Sequence, residues 1–80
     1  MNVFGYPMTD EQYDAGRAVI ARDQFTADDL TEALEAAGVP VDFKTSVRAA
    51  GMMIDMARGR GEIIFDKGAW HRAPEPIVDE

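Results

Sequence analysis

The 80-residue chain lacks several features that would indicate particular classes of protein. It has no cysteine, which excludes disulfides and thiolate metal sites and is consistent with a reducing cytoplasm. Its single histidine, His71, leaves too few ligands for a typical zinc site. No apolar run is long enough to span a membrane, and the N-terminus lacks the pattern of a signal peptide. We therefore expect a cytoplasmic protein without a metal or cofactor.

Signatures of catalysis are missing as well. The glycines of the Gly59–Gly61 segment follow a predicted helix, whereas a phosphate-binding loop precedes one. Ser46 is the only serine, and it does not lie in a nucleophile motif. The many carboxylates fall on predicted exposed faces, where nothing would prepare them for acid–base catalysis. We predict that the protein is not an enzyme and has no catalytic residues.

Basic residues are scarce overall and unevenly distributed. Residues 1–43 contain nine acidic and two basic residues, a net charge of −7. Residues 44–72 contain six basic and three acidic residues, a net charge of +3, and residues 73–80 add −3, for a total of −7. The negative overall charge repels phosphate and weakens non-specific attraction to nucleic acid. Residues 44–72, however, carry a net positive charge.

The local signals predict a mainly α-helical domain. Thr9 with Gln12, and Thr26 with Asp29, have the spacing of capping boxes, and Gly38 is suited to end a helix in the left-handed conformation. Apolar residues then recur at helical spacing. We predict helices at about residues 10–23, 27–37 and 46–60.

The segment after the third helix changes to a strand pattern. We predict a β-hairpin at about 62–72, with a three-residue loop at 66–68 that ends in glycine and forms a bulge. Trp70 is expected to cover the core from this hairpin. The leader 1–8 either packs on the core or pairs with the hairpin as an edge strand, and the acidic tail 73–80 is expected to be loose.

Two groups of apolar residues are expected to be buried around the third helix. Beneath the connector before it, we expect Val39, Val41 and Phe43. Along its inward stripe, at spacings of three and four, we expect Val47, Ala50, Gly51, Ile54 and Ala57.

The stretch from Phe25 to Arg72 resembles small phage- or prophage-encoded winged helix-turn-helix proteins. The resemblance rests on "FTADDLTEALEAAGVP", on "GMMIDMARGRGEI" and on a short hairpin with a tryptophan. The matching residues are Thr26, Asp29, Leu30, Ala33, Leu34, Ala37, Gly38, Val39, Ala57, Arg58, Gly61 and Ile63. The sequence departs from the family in having no aromatic residue at the start of the third helix, and an acidic tail in place of basic residues. The resemblance implies a single three-helix winged helix-turn-helix domain and a regulatory, DNA-binding function.

In such a fold the third helix would enter the major groove, and the hairpin, or wing, would contact phosphates or the minor groove. Arginine can read guanine edges, and both basic side chains neutralise phosphates. The predicted DNA-contacting residues are Lys44, Arg48, Arg58, Arg60, Lys67 and Arg72. Because so few cations give few phosphate contacts, we expect a homodimer or a partner to be needed for useful affinity.

A second hypothesis is that the same scaffold binds a host or phage protein. The acidic helices could imitate nucleic-acid phosphates, or a methionine cluster could form a soft docking patch. The residues of this alternative are Asp28, Glu32, Glu35, Met52, Met53 and Met56. For the methionines, packing in the core is the competing interpretation.

Overall fold

The computed structural model describes residues 1–74. Its three α-helices are α1 (Asp10–Ile20), α2 (Ala27–Ala36) and α3 (Thr45–Gly59). Its five short strands are β1 (Asn2–Val3), β2 (Tyr6–Pro7), β3 (Gln24–Phe25), β4 (Ile63–Asp66) and β5 (Ala69–Arg72). The strands form two antiparallel sheets, β1–β2 and β3–β5–β4. The predicted three helices and C-terminal hairpin are confirmed, and in residues 1–74 no helix is long and apolar enough to cross a bilayer.

The helix ends follow local chemistry. Both predicted capping boxes, Thr9 with Gln12 and Thr26 with Asp29, are present with both hydrogen bonds. At Gly38 (φ 101°) and Gly61 (φ 75°), two backbone hydrogen bonds reach back into α2 and α3, as in a Schellman motif. Helices α2 and α3 therefore each end just before a glycine that adopts the left-handed conformation.

The predicted helix boundaries differ from the observed ones mainly at the end of α1, where the chain enters strand β3. Helix α1 ends at Ile20 rather than at residue 23, because the chain must turn to enter β3. Strand β3 was not predicted, since two residues are too short for a periodic pattern. It pairs Gln24 with His71 and Phe25 with Trp70, so β5 is the central strand of its sheet.

The leader forms its own hairpin, β1–β2, instead of pairing with β5 or β4. The buried Val3 anchors it to the core. Gln12 of α1 connects to the hairpin through hydrogen bonds: the Tyr6 hydroxyl and the Thr9 N–H both donate to the Gln12 Oε1 (3.0 and 3.1 Å). The Gln12 amide nitrogen in turn donates to the Ala37 carbonyl at the end of α2 (3.3 Å). The hairpin is thus fixed against the helices.

The β4–β5 loop has two residues rather than the predicted three, and there is no bulge. The register pairs Asp66 directly with Ala69, leaving Lys67 and Gly68 as the loop. Both have positive φ (51° and 80°), as in the type I′ turn whose twist matches that of the strands. The tail 73–80 was predicted to be loose. At its start, the Ala73 N–H donates a hydrogen bond to the Glu62 carbonyl (2.9 Å), so Ala73 is tied to the residue that precedes β4. Residues 75–80 lie outside the described part of the chain.

The core forms where the three helices meet and is covered by Phe25, Ile63 and the half-buried Trp70. The predicted burial of Val39, Ala50, Ile54 and Ala57 is confirmed. Four other residues expected to be inside are exposed: Val41, Phe43, Val47 and Gly51. Helix α3 has apolar residues around most of its circumference, so its pattern alone does not decide which of them turn inward.

Candidate functional site

The outer surface of α3 is opposite the side that packs on α1 and α2. Its exposed residues are Val47, Arg48, Gly51, Asp55 and Arg58. Their spacings of three, four and seven residues put them on one helix face. At the centre of this face, Gly51 has no side chain, and a Cβ there would meet no heavy atom within 4 Å. The backbone of α3 is therefore open to close approach at this point.

The predicted DNA-contacting residues are all exposed and lie on α3, at its two ends and on the β4–β5 hairpin: Lys44, Arg48, Arg58, Arg60, Lys67 and Arg72. Within residues 1–74, none of these six side chains forms an ion pair. Apart from Arg48, whose guanidinium lies over the Phe4 ring, and Arg60, which lies close enough to Glu62 to help lower its pKa, their charges have no partner within the described residues.

One nearby carboxylate is withdrawn from these cations. Glu62 forms a bidentate ion pair with Arg17 of α1, with N–O distances of 2.8 and 3.3 Å. The hydrogen bond, with the attraction between the charges, lowers the pKa of the Glu62 carboxyl and raises that of Arg17. Both side chains are about one-third exposed, so solvent screens the pair.

Two other carboxylates interrupt the basic surface. Asp55 lies on the outer face of α3, seven residues after Arg48 and three before Arg58. Asp66 immediately precedes the hairpin loop that carries Lys67. The six cations therefore do not form a surface free of acidic side chains.

An apolar groove of about 710 Å³ separates the end of α3 from the hairpin. The residues that line it are Arg58, Gly61, Ile63, Ile64, Phe65 and Trp70. The rings of Phe65 and Trp70 meet edge to face, with centroids 5.2 Å apart. Trp70 covers the core as predicted, whereas Phe65 is mostly exposed. On the other face of the hairpin, His71 Nε2 lies 3.1 Å from the Asp66 carbonyl oxygen.

A second groove, of about 410 Å³, lies at the N-terminal end of α3. Phe4, at the tip of the leader hairpin, and Phe43, in the connector before α3, both line it. Phe4 is 74% exposed and Phe43 is 93% exposed. The guanidinium carbon of Arg48 lies 4.7 Å from the centre of the Phe4 ring, within the range of a cation–π contact. No local signal in the sequence marks Phe4, Phe43 or Phe65 as surface residues.

The residues of the protein-binding alternative are divided between surface and interior. Asp28 and Glu32 are exposed one turn apart on α2. Glu35 is also exposed, but its Oε2 accepts a hydrogen bond from the buried Ser46 hydroxyl (2.7 Å). Among the methionines, Met53 is only 2% exposed. It belongs to the core, as the competing interpretation held, which removes it from any docking patch.

The other two methionines of the proposed patch are more accessible. Met52 is half-buried, and Met56 is exposed on the last turns of α3. Among residues 1–74 there is no group of three or more potential ligand side chains that could hold a metal ion.

Comparison with known proteins gives no further assignment. No protein-family model, no curated protein and no solved structure matches this chain. The resemblance to small winged helix-turn-helix proteins therefore stays a prediction.

Proposed function

We propose that this chain is a winged helix-turn-helix protein that binds duplex DNA as a regulator, of the kind encoded by phages. The order α1–β3–α2–α3–β4–β5, with β5 between β3 and β4, supports this layout, because it sets the hairpin beside α3 in the manner of a wing. The single observation that carries the function is the distribution of cations. All six basic residues after Phe43 are exposed, lie on α3, its ends or the hairpin, and lack ion pairs within residues 1–74.

Within this proposal, Arg58 and Arg60 at the end of α3 and Lys67 at the hairpin tip make the main phosphate contacts. Arg72 on β5 and Lys44 and Arg48 at the other end of α3 contribute at the margins. Asp55 disfavours phosphate at the centre of the helix face, and is suited instead to accept a hydrogen bond from a cytosine amino group. Binding is expected to be weak without a specific site, because the rest of the chain is acidic.

Fluorescence anisotropy with labelled duplex DNA tests this proposal. With about four phosphates neutralised, the logarithm of the association constant should fall with the logarithm of salt concentration with a slope of about −3.6. Arg58→Ala and Lys67→Ala should each reduce that slope by about 1. Arg22→Ala is the matched control, because Arg22 is an exposed arginine outside the α3–hairpin surface. No anisotropy change at low salt and about 100 µM protein would exclude the function.

A second candidate function is docking on a basic protein surface through α2. It is favoured by Asp28 and Glu32, which are exposed one turn apart and have no ion pair in residues 1–74. In this case the chain would bind one partner protein with 1:1 stoichiometry. The complex should be lost on combining Asp28→Lys with Glu32→Lys and retained in Arg58→Ala. The opposite pattern of the two variants would exclude this candidate.

A further inference from the structure

Four large apolar side chains are exposed around the N-terminal end of α3. This aromatic patch, as we call it, comprises Phe4, Val41, Phe43 and Val47, all more than half exposed. Phe4 is brought there by the leader hairpin and the other three by the connector and the first turn of α3. Phe4 and Phe43 line the same groove, and a group of exposed apolar side chains of this kind on a small domain marks an interaction site.

The backbone adds a second observation at the same place. Phe43 (φ 56°) is in the left-handed region, where bulky residues are rare, whereas the φ of Phe4 (49°) is the one that its two-residue hairpin loop with Gly5 requires. The Phe43 ring gains no burial in return, since it is 93% exposed. Phe4 and the strained Phe43, which come from different loops, line one groove, whose other walls include Tyr6, Pro7 and Pro40. Such strain is retained at sites that clamp a ligand or partner.

The charges around the patch indicate which partner fits it. Asp42 lines the groove, Lys44 follows Phe43, and Arg48 lies over the Phe4 ring. The three charges sum to +1, whereas the rest of the chain carries −8, so two copies that meet here bring less like charge together than two acidic surfaces would. A surface that carries both signs can also be complementary to itself across a two-fold axis.

We propose that the aromatic patch is the interface of a two-fold homodimer, in which Asp42 of each copy lies opposite Arg48 of the other. The rings of Phe4 and Phe43 then fill the grooves of the facing copy and are removed from water. This interface lies at the N-terminal end of α3, whereas the main DNA contacts proposed above lie at its C-terminal end and on the hairpin. Lys44 and Arg48, which contribute only at the margins of DNA binding, are shared by both surfaces, so the dimer is tested without DNA and separately from the DNA function.

Sedimentation equilibrium of the full chain, without DNA, measures the dimer directly. We expect a concentration-dependent dimer whose dissociation constant rises at least about tenfold in Phe43→Ser, the loss typical of an interface anchor. Ile64→Ser is the matched control, because Ile64 is an exposed apolar residue on the β4–β5 hairpin, outside the patch. Its dissociation constant should equal that of the wild type. A wild-type monomer at about 100 µM, or equal weakening by both substitutions, would overturn the proposal.

A charge exchange tests the two-fold arrangement. Asp42→Lys and Arg48→Asp should each weaken the homodimer, because each sets like charges opposite one another. An equimolar mixture of the two variants should recover the dimer, since one exchanged pair and one native pair then form across the axis. Circular dichroism of each variant should match the wild type, because both side chains are exposed. If the mixture stays as weak as the separate variants, the proposed pairing is wrong.

Discussion

Helix α1 packs against α3 at Gly16, which provides a sharp test of the core. A Cβ added at Gly16 would lie 2.6 Å from both Sδ and Cε of Met53, and 3.1 Å from a Leu34 methyl carbon. At Gly51, on the outer face of α3, an added Cβ would meet nothing within 4 Å. The same substitution, glycine to alanine inside a helix, should therefore have opposite effects at these two positions.

The magnitudes follow from the two environments. Replacing an interior helical glycine with alanine gains about 1 kcal/mol of stability from backbone entropy. At Gly16 the new methyl group needs contacts of about 3.5–4.0 Å, so the buried Met53 side chain must move by roughly 1 Å. Overpacking of this kind costs about 1–3 kcal/mol. We expect Gly16→Ala to lose about 1 kcal/mol net and Gly51→Ala to gain about 1 kcal/mol.

Thermal and urea unfolding followed by circular dichroism at 222 nm measures both variants. A difference of about 2 kcal/mol should separate their Tm values by about 10 °C in a domain of this size. Combining Gly16→Ala with Met53→Ala should relieve the clash, giving a favourable coupling of about 1 kcal/mol in a double-mutant cycle. Equal increases in Tm for Gly16→Ala and Gly51→Ala would refute the close contact between the helices.

Two further predictions concern polar contacts. Because Arg17 lowers the pKa of Glu62, their pair stabilises the fold above the pKa of the unfolded carboxyl, and this contribution is lost as pH falls through the lower folded value. Glu62→Gln should lower the free energy of unfolding by about 0.5 kcal/mol at pH 7 and make its decrease at acid pH less steep. An equally steep decrease in the variant and the wild type would contradict this. Ser46→Ala should cost about 1–2 kcal/mol in urea unfolding, because the buried hydroxyl donates to the Glu35 carboxylate. Glu35→Gln should cost less, and a neutral Ser46→Ala would show that the bond does not contribute.

The helix termini were predictable because their signals act over three or four residues. The side chains of Thr9 and Thr26 bond the backbone of their own first turns, and Gly38 supplies a backbone conformation that few other residues adopt. Strand β3 carries no comparable signal. Its two residues are extended because β5 pairs with them, and β5 lies more than 40 residues away in the chain.

The candidate site was only partly predictable for the same reason. That Arg48 and Arg58 share the outer face of α3 follows from helical spacing. Helical spacing does not show whether Val47 or Met53 turns inward, because either orientation gives α3 an apolar stripe. The close approach of α3 to Gly16 of α1 decides it, burying Met53 and leaving Val47 outside.

The amino-acid sequence by itself determined the helices, their caps, the β4–β5 hairpin and the separation of acidic from basic segments, because these depend on neighbouring residues and composition. Only the tertiary structure decided the central position of β5, the bond that withdraws Glu62 to Arg17, and the meeting of Phe4 with Arg48. Each of these joins residues more than 40 positions apart. Such contacts form only when the packing of α1, α2 and α3 brings distant segments together, and no local pattern encodes them.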